Sequence, residues 1–129
     1  MGCRFIKLVR KIPSWRLVLK VKKSVRYCDN GIMAYEHWHR EDNRYYHHRE
    51  DGPAYIEYWK SVERIYEAWY INNKRHRIDG PARIYYNPDG TIYKNYYYIS
   101  GERLSKEQWE DHPLVQEWLI KEAMKEALK

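Results

Sequence analysis

Two stretches of the chain set an imidazole, a guanidinium and a carboxylate within four positions of one another: His48-Arg49-Glu50-Asp51 and His76-Arg77-Ile78-Asp79. An imidazole beside a carboxylate is the equipment of general acid–base chemistry, and a guanidinium nearby could hold an anionic group. Both stretches continue into Gly-Pro-Ala, so His48–Ala54 and His76–Ala82 agree at six of seven positions, 28 residues apart. Catalytic groups are seldom duplicated in register within one small chain, whereas residues that define a structural unit recur in every copy. His48, Arg49, Asp51, Gly52, Pro53 and their counterparts His76, Arg77, Asp79, Gly80, Pro81 are therefore expected to build the fold: ring stacking, an Arg–Asp contact across a turn, and an imidazole whose N–H is satisfied. No nucleophile–base pair stands at a recognisable spacing and no phosphate-cradling loop is present, so the expectation is a protein that is not an enzyme.

A second cluster invites a metal reading. His37, His39, His47 and His48 crowd one region, with Cys28 nearby. Zinc takes imidazole nitrogen and thiolate in a tetrahedral set, and His37-x-His39 would place two rings on one face of a strand. No Cys-x-x-Cys or His-x3-His pair accompanies them, and histidines among Arg and Glu are more often solvated surface. No metal and no other cofactor is expected.

The elements that must position these residues follow from the repeat. The offset of 28 also carries Ile56 onto Ile84, Tyr58 onto Tyr86, and Trp69–Asn73 onto Tyr97–Gly101. Tyr35-Glu36-His37-Trp38 matches Tyr66-Glu67-Ala68-Trp69 at an offset of 31, which implies an insertion in 41–46. Asp-Gly-Pro is turn chemistry. The aromatic and β-branched runs Tyr55–Trp59 with Arg64–Ile71, and Arg83–Tyr86 with Thr91–Ile99, read as hairpins. Asp29-Asn30-Gly31 supplies a further hairpin turn between strands within Leu17–Tyr27 and Ile32–Trp38. Ser105-x-x-Gln108 has the form of a capping box, with Leu104 and Trp109 as a staple, and Pro113 opens a second helix. Val115, Trp118, Leu119, Ala123 and Ala127 form its apolar band. The expected fold is mainly β: an elongated array of consecutive antiparallel β-hairpin repeats over 29–104, preceded by a basic segment over 1–28 and closed by a C-terminal α-helical cap over 105–129.

The His-Arg-x-Asp-Gly-Pro-Ala signature followed by aromatic strands, with Trp-Tyr-Ile-Asn-Asn before the next His-Arg, resembles repeats common in uncharacterised bacteriophage and large-virus proteins. These are similar to MORN repeats and to YwqK-type antitoxin-like repeats. The resemblance covers about residues 32–104. It implies consecutive hairpins and a binding or scaffolding role, with no activity attached.

Charge and aromatic content suggest how such a surface is used. Lys and Arg number 24 against 18 Asp and Glu, and residues 1–28 alone hold nine of the bases with no acid. These are Arg4, Lys7, Arg10, Lys11, Arg16, Lys20, Lys22, Lys23 and Arg26. Phe5, Leu8, Val9 and Ile12 at helical spacing read as a short basic amphipathic helix, while Leu17–Lys22 alternates like an edge strand guarded by lysines. Either way the arm can steer towards a polyanion. Fourteen Tyr and six Trp dominate the apolar inventory. Trp59, Tyr70, Tyr86 and Tyr98 are the strand aromatics expected at a partner contact, since Tyr and Trp are enriched at hot spots. Acids interspersed among these units (Glu57, Glu63, Glu67, Asp79, Asp89, Glu102) favour a protein partner, a host factor or viral assembly component. Nucleic acid gripped by the basic arm is the alternative. No stretch approaches the ~20 apolar residues of a membrane-spanning helix. Met1-Gly2-Cys3 lacks the downstream Ser or Thr of an acylation signal. Two cysteines suit a reducing compartment, so a cytoplasmic location, that of the host cell for a viral protein, is expected.

Overall fold

The computed structural model describes residues 3–9, 20–28, 33–60 and 63–129, with 3–9 and 33 described as backbone only. The elements in chain order are β1 (Cys3–Val9), β2 (Val21–Cys28), β3 (Met33–Arg40), β4 (Asn43–His47), β5 (Tyr55–Trp59), β6 (Glu63–Ala68), β7 (Tyr70–Ile71), β8 (Lys74–Arg75), β9 (Arg83–Tyr86), β10 (Ile92–Ile99), β11 (Glu102–Leu104), α1 (Lys106–Glu110) and α2 (Pro113–Ala127). The chain is mainly β. One antiparallel sheet runs in the order β1-β2-β3-β5-β6-β9-β10-β11, with β4 paired to β3, and β7-β8 forms a small separate hairpin. Apart from the skips over β4 and over β7-β8, neighbours in sequence are neighbours in space, so most loop closures are short.

Three details differ from the sequence-based reading. Cys3–Val9 is a strand, not an amphipathic helix, and pairs residue for residue with β2. A helix of two turns leaves most of its own backbone groups unsatisfied and bears the nucleation cost, whereas β2 offers a partner at every position. Ile12, Arg10, Lys11 and Arg16 lie outside the described residues, as do the Asp29–Gly31 turn and residues 61–62. β2 in turn is no edge strand, because β1 covers one side and β3 the other. Its lysines are therefore not edge guards: Lys22 pairs with Glu41 at 3.0 Å and Lys23 with Glu36 at 3.5 Å. Finally, Arg64–Ile71 is not one strand. The chain leaves the main sheet at Trp69, and Tyr70-Ile71 turns back through Asn72 (φ 49°) and Asn73 (φ 63°) onto Lys74-Arg75. The left-handed region suits asparagine better than most residues. Twenty-eight positions on, Ser100 (φ 48°) and Gly101 (φ 86°) turn Tyr98-Ile99 onto Glu102-Arg103 in the matching register.

Residues facing each other across strands share a face of the sheet. One face carries the row Val25–Glu36–Ile56–Glu67–Ile84–Asn95, and the other the row Arg26–Tyr35–Glu57–Tyr66–Tyr85–Lys94. The first face is packed: Ile56, Glu67 and Ile84 are buried there. The loops 48–54 and 76–82 run beside it, and Ala54 and Ala82, both fully buried, bond to strand backbone at Ala68 and Tyr96. At the C-terminal end the capping box forms in both directions between Ser105 and Gln108. Trp109 packs with Ile99, Val115, Tyr97 and Leu104 as a second small core. α1 and the first turn of α2 thus close the end of the sheet. The rest of α2 does not: Leu119 is 45% and Met124 61% exposed, so the expected apolar band buries only Val115.

Candidate functional site

The duplicated loops have the same geometry. Arg49 lies 4.2 Å above the Trp38 ring, with Nε donating to Asp51 and Nη1 to the Pro53 carbonyl. Arg77 lies 3.9 Å above Trp69, with the same bonds to Asp79 and Pro81. A Cβ on Gly52 or Gly80 would come within 2.9 Å of the guanidinium carbon, so glycine is what admits the stacked arginine. His48 Nδ1 accepts the Asn72 N–H and His76 Nδ1 accepts the Ser100 N–H, both at 2.9 Å. Each imidazole is therefore the neutral tautomer protonated at Nε2. Asp51 and Asp79 are taken up by arginine instead of by histidine, while His48 Nε2 has the exposed carboxylate of Glu50 at 3.8 Å, a contact the second loop cannot repeat because Ile78 stands in that place.

Beneath the loops, two carboxylates 31 residues apart sit in matching surroundings. Glu36 accepts from Trp38 Nε1 at 3.0 Å and from the Tyr58 hydroxyl at 3.3 Å. Glu67, 3% exposed, accepts from Arg64 at 2.5 Å and from the Tyr86 hydroxyl at 3.0 Å. Burial and the Glu67 charge push the Tyr86 phenol up to about 12. This face is internally satisfied.

The opposite face is built differently. Tyr35, Tyr55, Tyr66 and Tyr85 run across four strands with ring centroids 6.5, 5.9 and 4.8 Å apart in turn. His37 stacks on His39 at 4.7 Å, and His47 lies 5.1 Å from Tyr70. Between the rings stand arginines: Arg83 over Tyr66, Tyr85 and Tyr96; Arg75 over Tyr70 and Tyr98; Arg103 over Tyr96. Two clefts open on this face. One, about 220 Å³, is lined by Arg26, Tyr35, His37, Arg44, Tyr45, His47 and Tyr55. The next, about 320 Å³, continues across His47, Tyr55, Tyr66 and Tyr70 to Arg83 and Tyr85.

The histidines considered above for zinc have other partners. His39 Nε2 lies 2.7 Å from Ser24 Oγ and its Nδ1 2.7 Å from the Arg40 carbonyl. Among the described residues no three His, Cys, Asp or Glu side chains are grouped to hold an ion. Burial, together with His39, His47 and the arginines 26 and 44, lowers His37 to about 4. Burial likewise lowers His47, His48 and His76. These rings stay neutral in the folded protein at pH values where the unfolded chain, with histidines near 6.5, has begun to bind protons. Stability is therefore complete above about pH 7 and declines as pH falls from about 6.5 towards 4. Urea unfolding at pH 7.5 and 4.5 should differ by on the order of 2 kcal/mol, and His37→Gln should recover part of that difference. An unchanged midpoint would count against buried neutral imidazoles.

The four aromatics expected at a partner contact do not share one surface. Tyr70 and Tyr98 belong to the tyrosine–arginine face around Arg75, Tyr86 lies on the packed face bonded to Glu67, and Trp59, 41% exposed, ends β5. Of the expected basic arm, Arg4 and Lys7 fall on β1, Lys20 is exposed, Lys22 and Lys23 are in ion pairs, and Arg26 joins the tyrosine face. Tyr66, Tyr85, Arg75 and Arg83 are not among the residues expected from the sequence. A signal existed, since Arg75 maps onto Arg103 at the same offset as Tyr70 onto Tyr98. No helix among the described residues is long and apolar enough to cross a membrane. No known family model, curated protein or solved structure matches the chain.

Proposed function

We propose that the protein is a non-enzymatic binding module, an array of MORN-like hairpin units that presents its tyrosine–arginine face to a macromolecule. One observation carries this reading. Arg40, Arg49, Arg64 and Arg77 each pair with a carboxylate. Arg26, Arg44, Arg75, Arg83 and Arg103 pair with none among the described residues. Arg44, Arg75, Arg83 and Arg103 lie on tyrosine rings; Arg44 and Arg83 each give one N–H to a tyrosine hydroxyl, and a guanidinium without a counter-charge keeps its remaining donors for a partner. Of the six acids that favoured a protein partner in the sequence, Glu67 is taken by Arg64 and Asp79 by Arg77, and Asp89 accepts from Thr91. The partner that complements this face is acidic, whether a host or viral component.

Capture from a cell extract tests the reading, using wild type, the charge reversal Arg83→Glu/Arg103→Glu, and Lys129→Glu as a remote control. Binding should be lost in the double variant and kept in the control, with the β-sheet circular dichroism of all three alike. Equal capture by folded double variant and wild type would sink it.

A further inference from the structure

The tyrosine–arginine face has features that narrow the chemistry of its partner. Three buried side-chain nitrogens have no hydrogen-bond partner among the described residues, His47 Nδ1, Arg75 Nε and Arg83 Nε. All three belong to side chains on this face, and two are obligate donors. Unpaired buried donors are costly, and the Arg75 and Arg83 guanidiniums are covered by tyrosine rings instead of by a carboxylate. Among the described residues, the strand rows of this face hold two carboxylates, Glu57 and Glu63, against five arginines without a counter-charge and Lys94, so an incoming acceptor meets a cationic field.

The arrangement is extended, not convergent. From Arg26 on β2 to Arg103 on β11 the face crosses seven strands, β2, β3, β5, β6, β9, β10 and β11, a path of roughly 29 Å at about 4.8 Å per strand. Cations recur along that whole path, and so do flat rings. An acidic protein would have to supply carboxylates at matched intervals over the full length. A nucleic-acid single strand supplies one phosphate per nucleotide together with a base whose π-face stacks on tyrosine or on a guanidinium plane. A duplex keeps its bases stacked inside and could not use the rings. Apart from Ala68, the two central rows of this face contain no aliphatic side chain.

From this juxtaposition we infer that the face binds single-stranded nucleic acid, its phosphates on Arg26, Arg44, Arg75, Arg83 and Arg103 and its bases on the tyrosines between them. The inference rests on the binding-module reading above and names its partner. It moves the nucleic-acid contact from the N-terminal arm to the sheet. About four or more nucleotides fit the path, which is the low end of single-domain footprints.

The test is fluorescence anisotropy with labelled dT12 DNA and U12 RNA, against polyglutamate and a 12-base-pair duplex, from 20 to 300 mM NaCl on the full chain. Single strands should bind best, with log K falling against log salt at a slope of about −3, as expected for four or five phosphate contacts. Tyr85→Leu keeps apolar volume but removes a stacking ring, and should weaken binding about tenfold or more with the slope unchanged. Arg83→Gln and Arg103→Gln should each flatten the slope by about 0.7. A preference between the DNA and RNA arms assigns which strand is read. Three outcomes overturn the inference: polyglutamate or duplex bound as tightly as single strands, single-strand binding indifferent to all three substitutions, or no binding of dT12 and U12. If binding to single strands fails while nuclease-treated extract still yields a partner lost in Arg83→Glu/Arg103→Glu, the module reading survives and this inference does not.

Discussion

Trp109→Ala is expected to cost about 3–5 kcal/mol, the range for removing a large buried aromatic. Trp109 is 8% exposed, its ring lies 4.8 Å from Tyr97, and Nε1 donates to the Arg77 carbonyl at 3.0 Å. It is the point where helix meets sheet: Val115, the buried residue of α2, packs in the same cluster. Helical signal and sheet stability should therefore fall together. Trp109→Phe keeps most of the volume and forfeits the hydrogen bond, so about 1–2 kcal/mol is expected. Denaturant unfolding followed at 222 nm checks both. A loss under 1 kcal/mol for Trp109→Ala would mean that the helices are held by something other than this contact.

The second large effect concerns the loop glycines. A methyl group on Gly80 would sit 2.9 Å from Arg77 Cζ, and on Gly52 the same distance from Arg49 Cζ. Each guanidinium is pinned by Trp, Asp and a proline carbonyl, so it cannot yield without giving up a cation–π contact and two hydrogen bonds. Gly52→Ala and Gly80→Ala should each destabilise by about 2–3 kcal/mol. The loops are so alike that the two losses should agree within about 0.5 kcal/mol and add in the double variant. Removing the arginine as well, in Arg77→Ala/Gly80→Ala, should make the alanine at 80 nearly silent. Unfolding midpoints of these four variants and of Arg77→Ala alone decide the matter, and unequal losses would separate the two loops energetically.

Much of the architecture was legible because its local chemistry is repeated. The Asp-Gly-Pro turns, the aromatic hairpins at 55–68 and 83–99, and the Ser105 capping box could be found from short windows. The N-terminal strand could not: Cys3–Val9 has apolar residues at spacings that fit a helix, and only pairing with a distant segment, Val21–Cys28, decides between the two. The break at Trp69 was hidden for a similar reason, since Tyr70-Ile71 continues the aromatic run and only two consecutive positive-φ asparagines turn it aside. The candidate face was harder still. Acids and bases mix along the chain, and strand alternation sorts them onto opposite faces only once register is known. Bulges between Glu57 and Tyr58 and between Ile92 and Lys94 shift that register, so counting by twos from one strand loses the row on the next. Residues 29–129 hold 15 bases against 18 acids, a mild acidic balance that hides the cationic surface the sheet gathers.

The bonds from His48 to Asn72 and from His76 to Ser100 point the same way along the chain, each ring reaching forward to the next tight turn. Linkage of this kind has polarity, like hooks entering eyes. The second eye is at Ser100, and Trp109 packs on Ile99, the residue just before it. A ribbon joined so could be lengthened in the middle by a further loop and turn of the same kind, each bringing another imidazole and another tight turn to receive it. Reach would then be an evolvable quantity, set by counting modules.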